Sequence, residues 1–184
     1  MRCVPALLSS VACCVWLAAT AAAQEMPPMP KPGPEHELLK MEEGTWDAVV
    51  EMSPPGAPVM TSKGTEVVTV GCGGLCFISK FDGDMGGMPF QGNGLTTYDP
   101  AKKKYVGSWT DSMSAGLMTS EGTYDAATKV MTIWMESTDP TGAVQKMKAT
   151  STYPDADHRT MTMFMKAPDG TEVQGMKISY TRRK

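Results

Sequence analysis

Histidine is scarce in this chain: its 184 residues include only His36 and His158. His36 borders a proline-rich stretch and His158 follows a turn-forming Asp-Ala-Asp run, so neither is placed like a haem ligand on the wall of a β-barrel. Neither lies near a Gly-x-Ser-x-Gly turn, so a hydrolase triad has no base. A zinc site built on Cys72 and Cys76 would lack two further ligands. We therefore expect no cofactor, no metal centre and no catalytic constellation.

Positive charge is not in excess either. The chain has 17 Lys and Arg against 20 Asp and Glu, a formal net charge of −3. Such a weakly acidic balance gives no reason to expect nucleic acid or an anionic membrane surface as a partner. The run Lys102-Lys103-Lys104 follows Asp99-Pro100 and is typical of a solvated hairpin turn. The oligomeric state stays open.

Long hydrophobic runs are absent except at the N-terminus. Val4–Ala19 is almost wholly apolar, and Ala21–Ala23 offers the small residues of a signal peptidase site. The run is shorter than the ~20 residues that a membrane-spanning helix needs, and nothing basic follows it. We predict a signal peptide over residues 1–23, export to the periplasm or beyond, and no membrane insertion after cleavage. The alternatives are an uncleaved membrane anchor and lipid attachment at Cys13 or Cys14.

Two short segments follow the predicted signal peptide: the first precedes the folded domain, and the second begins it. Residues 24–34 are proline-rich without hydrophobic periodicity, which predicts an extended tether. Residues 35–43 mix leucines with charges and end before a glycine, which predicts a short helix. Met26, Met29 and His36 offer soft ligands for copper, as an alternative to a plain linker.

From residue 44 onward, short alternating segments are separated about every ten residues by Pro, Gly, Asn or Asp. No gap is long enough for a crossover helix, so we predict an all-β, antiparallel up-and-down meander over residues 35–184. Closing the meander into a barrel would remove its exposed edges. The ten predicted strands are 44–52, 61–71, 75–81, 90–98, 104–110, 117–124, 130–137, 144–153, 159–166 and 171–182.

The two ends of this meander carry a recognisable pair of motifs. Gly44-Thr45-Trp46 opens the first strand, and Tyr180-Thr181-Arg182-Arg183 closes the last. This pattern resembles the calycins (lipocalins, fatty-acid-binding proteins and nitrobindins), whose barrels close by stacking that arginine on that tryptophan. The resemblance implies a calycin-like barrel with a short helix plugging one end. We expect Arg182 rather than Arg183 to stack on Trp46, because Arg182 shares a strand face with Tyr180.

Several segments resemble one family more closely, the bacterial family called domain of unknown function 1579. The resemblance extends over essentially the whole chain after the leader and implies an exported or envelope barrel. It brings no assigned activity, cofactor or catalytic residue. The segments are 31–36, 44–46, 83–92, 98–100, 105–109, 120–125 and the Tyr-Thr-Arg-Arg-Lys end.

Cys72 and Cys76 are the cysteines that remain after leader cleavage. Where this chain has Cys76, the family pattern leads us to expect an aromatic residue. Residues four apart in a straight strand stand about 13 Å from each other, too far for a disulfide. Gly73-Gly74 would have to turn the chain. Both a hairpin-tip disulfide and two separate thiols remain open.

Methionine and aromatic side chains recur on one face of the strands, and Thr and Ser on the other. The sequence does not decide which face lines the lumen. Flexible thioethers and aromatic rings suit a promiscuous apolar pocket, although core packing needs the same residues. The candidate ligand-binding residues are Phe90, Tyr105, Trp109, Trp134, Met85 and Met88.

These observations favour an exported barrel that binds a small apolar or amphipathic ligand. The glycine-rich run Gly86–Gly92 is expected to be a flap at the barrel mouth, or else a rigid plug. One alternative is an envelope protein that acts through its outer surface and has a filled barrel. Another is a cofactor-free enzyme that uses an inward carboxylate from Glu66, Asp111 or Glu121.

Overall fold

The structure is a computed structural model that describes residues 28–54, 56–167 and 169–184. Lys31–Lys184 form one compact unit. The predicted signal peptide and the first four residues of the predicted tether, which include Met26, lie outside the described residues. Within the described ranges, no helix has the length and apolar character needed to cross a membrane.

One short helix precedes ten strands, and their bounds follow the punctuation of the sequence. The helix is α1 (His36–Glu42). The strands are β1 (Gly44–Met52), β2 (Met60–Gly71), β3 (Cys76–Met85), β4 (Met88–Asp99), β5 (Lys104–Asp111), β6 (Met118–Asp125), β7 (Val130–Thr138), β8 (Val144–Thr152), β9 (His158–Lys166) and β10 (Glu172–Arg182).

The ten strands form a closed antiparallel barrel in which each strand pairs with its neighbours in sequence. β10 returns to pair with β1, with Trp46 opposite Arg182 and Met52 opposite Met176. Closure gives both backbone edges of every described strand a partner. The predicted all-β, up-and-down, calycin-like barrel with a short N-terminal helix is confirmed.

The apolar face of the strands lines the lumen. In β1, Trp46, Ala48 and Val50 are buried in alternation with exposed residues. In β9, Met161 and Met163 line the interior cavity. Period-two alternation therefore directs the threonines of β9 to the outer surface. The sequence did not decide which strand face lines the lumen, and the structure shows that the face with the methionines does.

Helix α1 closes one end of the barrel, which we call the floor. Leu38 and Leu39 are buried against Tyr105, Met131 and Tyr153. The Tyr105 hydroxyl donates to the carbonyl of Glu35 over 2.8 Å, which holds the chain just before the helix. The amphipathic pattern of this short segment therefore serves to seal the lumen.

The β2–β3 hairpin lies at the same end and carries a disulfide between Cys72 and Cys76, whose Cα atoms are 5.5 Å apart. Gly73 and Gly74 have φ angles of 65° and 93°. Glycine tolerates these left-handed angles without a Cβ clash, so the pair can reverse the chain within four residues. This reversal brings the two sulfur atoms together.

The β3–β4 hairpin lies at the opposite end, the mouth, and differs from our expectation. Gly86 and Gly87, with φ angles of 64° and 89°, form a two-residue turn, and Met85 pairs with Met88. Two consecutive positive φ angles match the twist of the flanking strands, so β4 starts directly after the turn. The prediction that Gly86–Gly92 is a flap is wrong, because the residues from Met88 onward belong to β4.

Candidate functional site

The barrel encloses a cavity of about 350 Å³, lined by α1 and by nine of the ten strands. Ligand pockets in proteins typically have volumes of about 300 to 1,000 Å³. Seven methionines contribute to the lining, together with aromatic and aliphatic side chains. One wall also carries small hydroxyl side chains, among them Ser79, Thr96 and Ser120. The cavity is therefore mainly apolar, with a limited number of polar positions.

Trp109 forms part of the wall because the neighbouring strand leaves room for it. A Cβ atom at Gly92 or Gly94 of β4 would collide with the Trp109 indole ring. The indole therefore lies flat against the β4 backbone. Its Nε1 donates to the Asp111 carboxylate over 3.0 Å, which fixes the ring orientation.

A buried ion cluster occupies the floor of the cavity. Arg159, at the start of β9, donates from Nη1 to Glu42 and from Nη2 to Glu66. The side chains of Arg159, Glu42 and Glu66 are 12%, 4% and 9% exposed. The planar guanidinium presents its donors as a fixed fork, so one arginine can serve two carboxylates. All three residues line the cavity.

Two tyrosines and Trp46 surround this cluster. The Tyr153 hydroxyl donates to Glu42 Oε1 over 2.6 Å. The Arg159 Cζ atom lies 4.1 Å from the centre of the Tyr180 ring and 4.7 Å from that of Trp46. Cation–π contacts of this kind add to the ionic ones. The cluster is therefore enclosed by aromatic side chains.

Burial shifts the pKa values of these groups. Burial raises the pKa of Glu66, against the opposing attraction of Arg159. Burial also raises the pKa values of Tyr153 and Tyr180 well above the usual value, and the nearby carboxylates act in the same direction. Burial disfavours the charged form of Arg159, yet Glu42 and Glu66 together raise its pKa. Arg159 is therefore charged, and the burial of Glu66 favours the protonated form of its carboxyl group.

Arg182 completes the barrel closure next to Trp46. Its Cζ atom lies 4.1 Å from the centre of the Trp46 ring. It donates to the carbonyl oxygens of Met41 and Ala156 over 2.7 and 2.9 Å, and also to that of Glu43. The Trp46 Nε1 donates to the Glu42 carbonyl over 2.9 Å. Arg182 and Trp46 thus tie the two terminal strands to the end of α1.

The family of this chain is shown by comparison with known proteins. Residues 31–182 match the family described as protein of unknown function DUF1579. The chain belongs to the DUF1579 family. No curated protein matches it.

Two solved structures show the same fold as this DUF1579 protein. Rv2717c from M. tuberculosis has a TM-score of 0.62 and 13% identity, covering 83% of this chain and 99% of that one. The S-type phycobiliprotein lyase CPES from Guillardia theta has a TM-score of 0.57 and 11% identity, covering 82% of this chain and 93% of that one. At these identities, the likeness concerns the fold alone.

Four of the six candidate ligand-binding residues of this DUF1579 protein line the cavity: Met85, Phe90, Tyr105 and Trp109. Trp134 and Met88 do not, and their expected position in the lumen is wrong. Trp134 is 57% exposed because its neighbours Ile133 and Met135 point inward, so alternation directs it outward. Its indole lies under Lys148 Nζ, 5.7 Å from the ring centre.

Met88 directly follows the turn at the mouth of the barrel and is 54% exposed. Its partner across the hairpin, Met85, lines the cavity. Paired residues share one face of the sheet, so Met88 lies on the inner face, but at the mouth its side chain is exposed and does not contribute to the wall.

Of the three candidate carboxylates, Glu66 and Asp111 line the cavity. Glu121 lies outside and pairs with Lys102 and Lys104 at 2.6 and 2.7 Å. Hydrogen bonds from these two lysines lower the pKa of Glu121 to about 2. Glu121 therefore has no part in the site.

Arg159 and Glu42 belong to the site but are not among the residues predicted from the sequence. Arg159 shares the strand face of Met161 and Met163, so the same alternation that places the methionines inward would have placed it there. Glu42 had no such signal. Its position depends on how α1 docks against the barrel, which a seven-residue helix pattern does not specify.

Metal ligands do not converge in the described part of the chain. No group of three or more His, Cys, Asp or Glu side chains is arranged there around a common point. His36 is buried, and its Nδ1 accepts a hydrogen bond from the Gly33 amide over 2.9 Å. This bond caps the turn before α1. The alternative copper site includes Met26, which lies outside the described residues.

Proposed function

We propose that this DUF1579 protein is an exported β-barrel that binds a small apolar or amphipathic ligand in its lumen. The observation that carries the proposal is the cavity of about 350 Å³. Protein interiors are normally packed to the density of organic crystals, with few voids larger than a water molecule. A cavity of this size is therefore better suited to holding a ligand than to acting as a structural core.

The lining favours a ligand with an apolar body. Methionine side chains, including Met131 and Met161, adapt to different apolar shapes because their thioethers are flexible and polarizable. The ion cluster of Arg159, Glu42 and Glu66 gives one end of the cavity a polar character. A molecule with an apolar body and one polar end would satisfy both parts of the lining.

Export is supported by the N-terminal sequence and by the Cys72–Cys76 disulfide. Disulfides persist in oxidising compartments outside the cytosol. Export is tested by the mass of the protein purified from its own host. Cleavage after Ala23 leaves a chain that begins at Gln24, whereas an uncleaved chain or an added lipid would contradict the proposed leader.

Ligand binding is tested by filling the cavity. Ser120→Phe in β6 places a ring in the lumen, since Ser120 lines the cavity. We expect the wild-type protein to enhance the fluorescence of N-phenyl-1-naphthylamine, a neutral apolar probe, in a saturable way. Ser120→Phe should weaken probe binding by about tenfold or more, which corresponds to about 1.4 kcal/mol.

The matched control is Thr119→Phe, one residue earlier on the exposed face of β6. It adds the same ring outside the barrel and should leave probe binding unchanged. Circular dichroism of both variants verifies that the barrel has folded. No saturable binding to the wild type, or equal binding to the wild type and a folded Ser120→Phe, would refute lumen binding.

The cofactor-free enzyme is the second candidate, and one observation favours it. Glu66 lies in the cavity, and burial raises its pKa, as a general acid requires. Its hydrogen bond from Arg159 opposes such a role, because that bond favours the carboxylate. The binding proposal needs no such proton transfer and therefore ranks first.

A further inference from the structure

One buried hydrogen-bond donor at the floor of the cavity has no acceptor. Among the buried side-chain nitrogen and oxygen atoms of the described residues, Arg159 Nε alone lacks a hydrogen-bond partner. The other two guanidinium nitrogens donate to Glu42 and Glu66. A buried N–H group without an acceptor is costly, and more so when the group is charged. This donor therefore needs an acceptor that the described part of the chain does not supply.

The planar geometry of the guanidinium group gives the position of the missing acceptor. The Nε–H bond lies on the same edge of the plane as Nη2, which donates to Glu66. Arg159, Glu66 and Tyr180 all line the cavity, and the Tyr180 ring centre lies 4.1 Å from Arg159 Cζ. An acceptor for Nε–H would therefore lie beside Glu66, at the floor of the cavity.

The charges around this position favour an acceptor that is neutral. Glu42 and Glu66 already share one guanidinium, and the lining formed by the described residues holds no lysine and no arginine besides Arg159. A further carboxylate would be buried here without a counter-charge, which is costly. An ammonium group has no lone pair with which to accept the hydrogen bond. An uncharged oxygen atom meets both requirements.

We propose that the polar end of the lumen ligand is a neutral acceptor oxygen, as in a ketone, an ester or an alcohol, and that Arg159 Nε donates a hydrogen bond to it. The apolar body of the ligand then lies among methionines of the lining, such as Met131 and Met161. This inference rests on the proposed lumen binding and names the chemical class of the ligand, an uncharged apolar molecule that carries an oxygen.

The test compares two molecules of equal shape on the full protein. Octan-2-one has a carbonyl oxygen, and 2-methyloct-1-ene has a methylene group in its place. Each is titrated at neutral pH as a competitor of N-phenyl-1-naphthylamine. The variant Arg159→Lys places a methylene group where Nε stands and keeps a cation beside the carboxylates. It should weaken binding of the ketone about tenfold relative to the alkene, which corresponds to about 1.4 kcal/mol.

Arg183→Lys, the matched control, makes the same exchange on the outer surface and should leave the ratio of the two affinities unchanged. Octanoate and octan-1-amine, whose polar ends are charged, should both bind the wild type more weakly than the ketone does.

A second measurement uses the wild type alone and decides the question if Arg159→Lys does not fold. In the NMR spectrum, octan-2-one should move the Arg159 Nε–H proton resonance downfield, because a new hydrogen bond deshields the proton. The alkene, which offers no oxygen, should not.

The outcomes separate the two proposals. Equal loss of ketone and alkene affinity in a folded Arg159→Lys, or no downfield shift with the bound ketone, would overturn the acceptor inference and leave lumen binding intact. Tighter binding of octanoate or octan-1-amine than of the ketone would overturn the neutrality of the polar end. Failure of the probe and of every ligand to bind would overturn both proposals.

Discussion

At the scale of single residues, Trp46 holds the central position of the floor. It is 2% exposed, and two guanidinium groups, those of Arg159 and Arg182, lie against its ring. Arg159 belongs to the lining of the cavity, whereas Arg182 binds carbonyl groups at the end of α1. Trp46 thus connects the ligand cavity with the closure of the barrel.

Replacing Arg182 with Ala should destabilise the protein. The change removes the cation–π contact with Trp46, about 0.5 to 2 kcal/mol, and hydrogen bonds to three carbonyl groups. Water can replace part of these hydrogen bonds, because the Arg182 side chain is partly exposed. We expect a loss of about 2 kcal/mol in the free energy of unfolding, measured by urea denaturation.

Arg183→Ala is the control for Arg182→Ala. Arg183 is 51% exposed and pairs with Asp47 on the outer surface, where ion pairs contribute little. Its urea midpoint should stay close to that of the wild type. Equal midpoints for the two variants would show that Arg182 has no special role in closure.

At this scale, the sequence predicts the role of a residue when the residue belongs to a known motif. Trp46 and Arg182 could be named from the sequence because they match the two end motifs of the calycins. Trp134 is predicted in the lumen for its aromatic character, which suits the lumen and the surface equally, whereas the alternation of β7 directs it outward. Glu42 could not be found, because only the docking of α1 brings it to Arg159.

At the scale of secondary-structure elements, strand bounds are well determined by turn chemistry. β1 spans Gly44–Met52 as predicted, because Pro54 and Pro55 lack the backbone donors that would extend it. The β3–β4 hairpin is the main departure. Its glycines indicated a long flexible loop, but two of them form a tight turn and others, such as Gly92 and Gly94, make room for Trp109.

Amide hydrogen exchange distinguishes this paired hairpin from a flap. β4 lies between β3 and β5, so its amides are bonded to one neighbour or the other, except that of Gln91, which donates to the exposed Ser112 hydroxyl. We expect slow exchange for Phe90 and Gly92–Gly94 in the ligand-free protein and fast exchange at Gly86. Fast exchange throughout Gly83–Gly92 would contradict the strand pairing and would support the prediction of a flap.

Asp84→Ala provides the local control for this measurement. The Asp84 carboxylate accepts a hydrogen bond from the Gly87 amide over 2.8 Å. Its removal should accelerate exchange at Gly87 and leave Phe90 protected, because the strand pairing is unchanged.

At the scale of the whole molecule, the closed barrel could be predicted because ten short strands without a crossover have few other arrangements. The cavity could not. Whether a barrel is hollow depends on how side-chain volumes fill the lumen and on where α1 docks. In this chain, small hydroxyl side chains on one wall, among them Ser79, Thr96 and Ser120, leave the space open.

Native mass spectrometry of protein purified from its own host tests most directly whether this lumen holds a small molecule. We predict a mass equal to the chain that begins at Gln24 with one disulfide, plus that of a small ligand lost on activation. The lumen-filling variant Ser120→Phe, purified in the same way, should lack the additional mass, and Thr119→Phe should keep it. A bare wild-type chain, or equal retention by Ser120→Phe, would contradict the account.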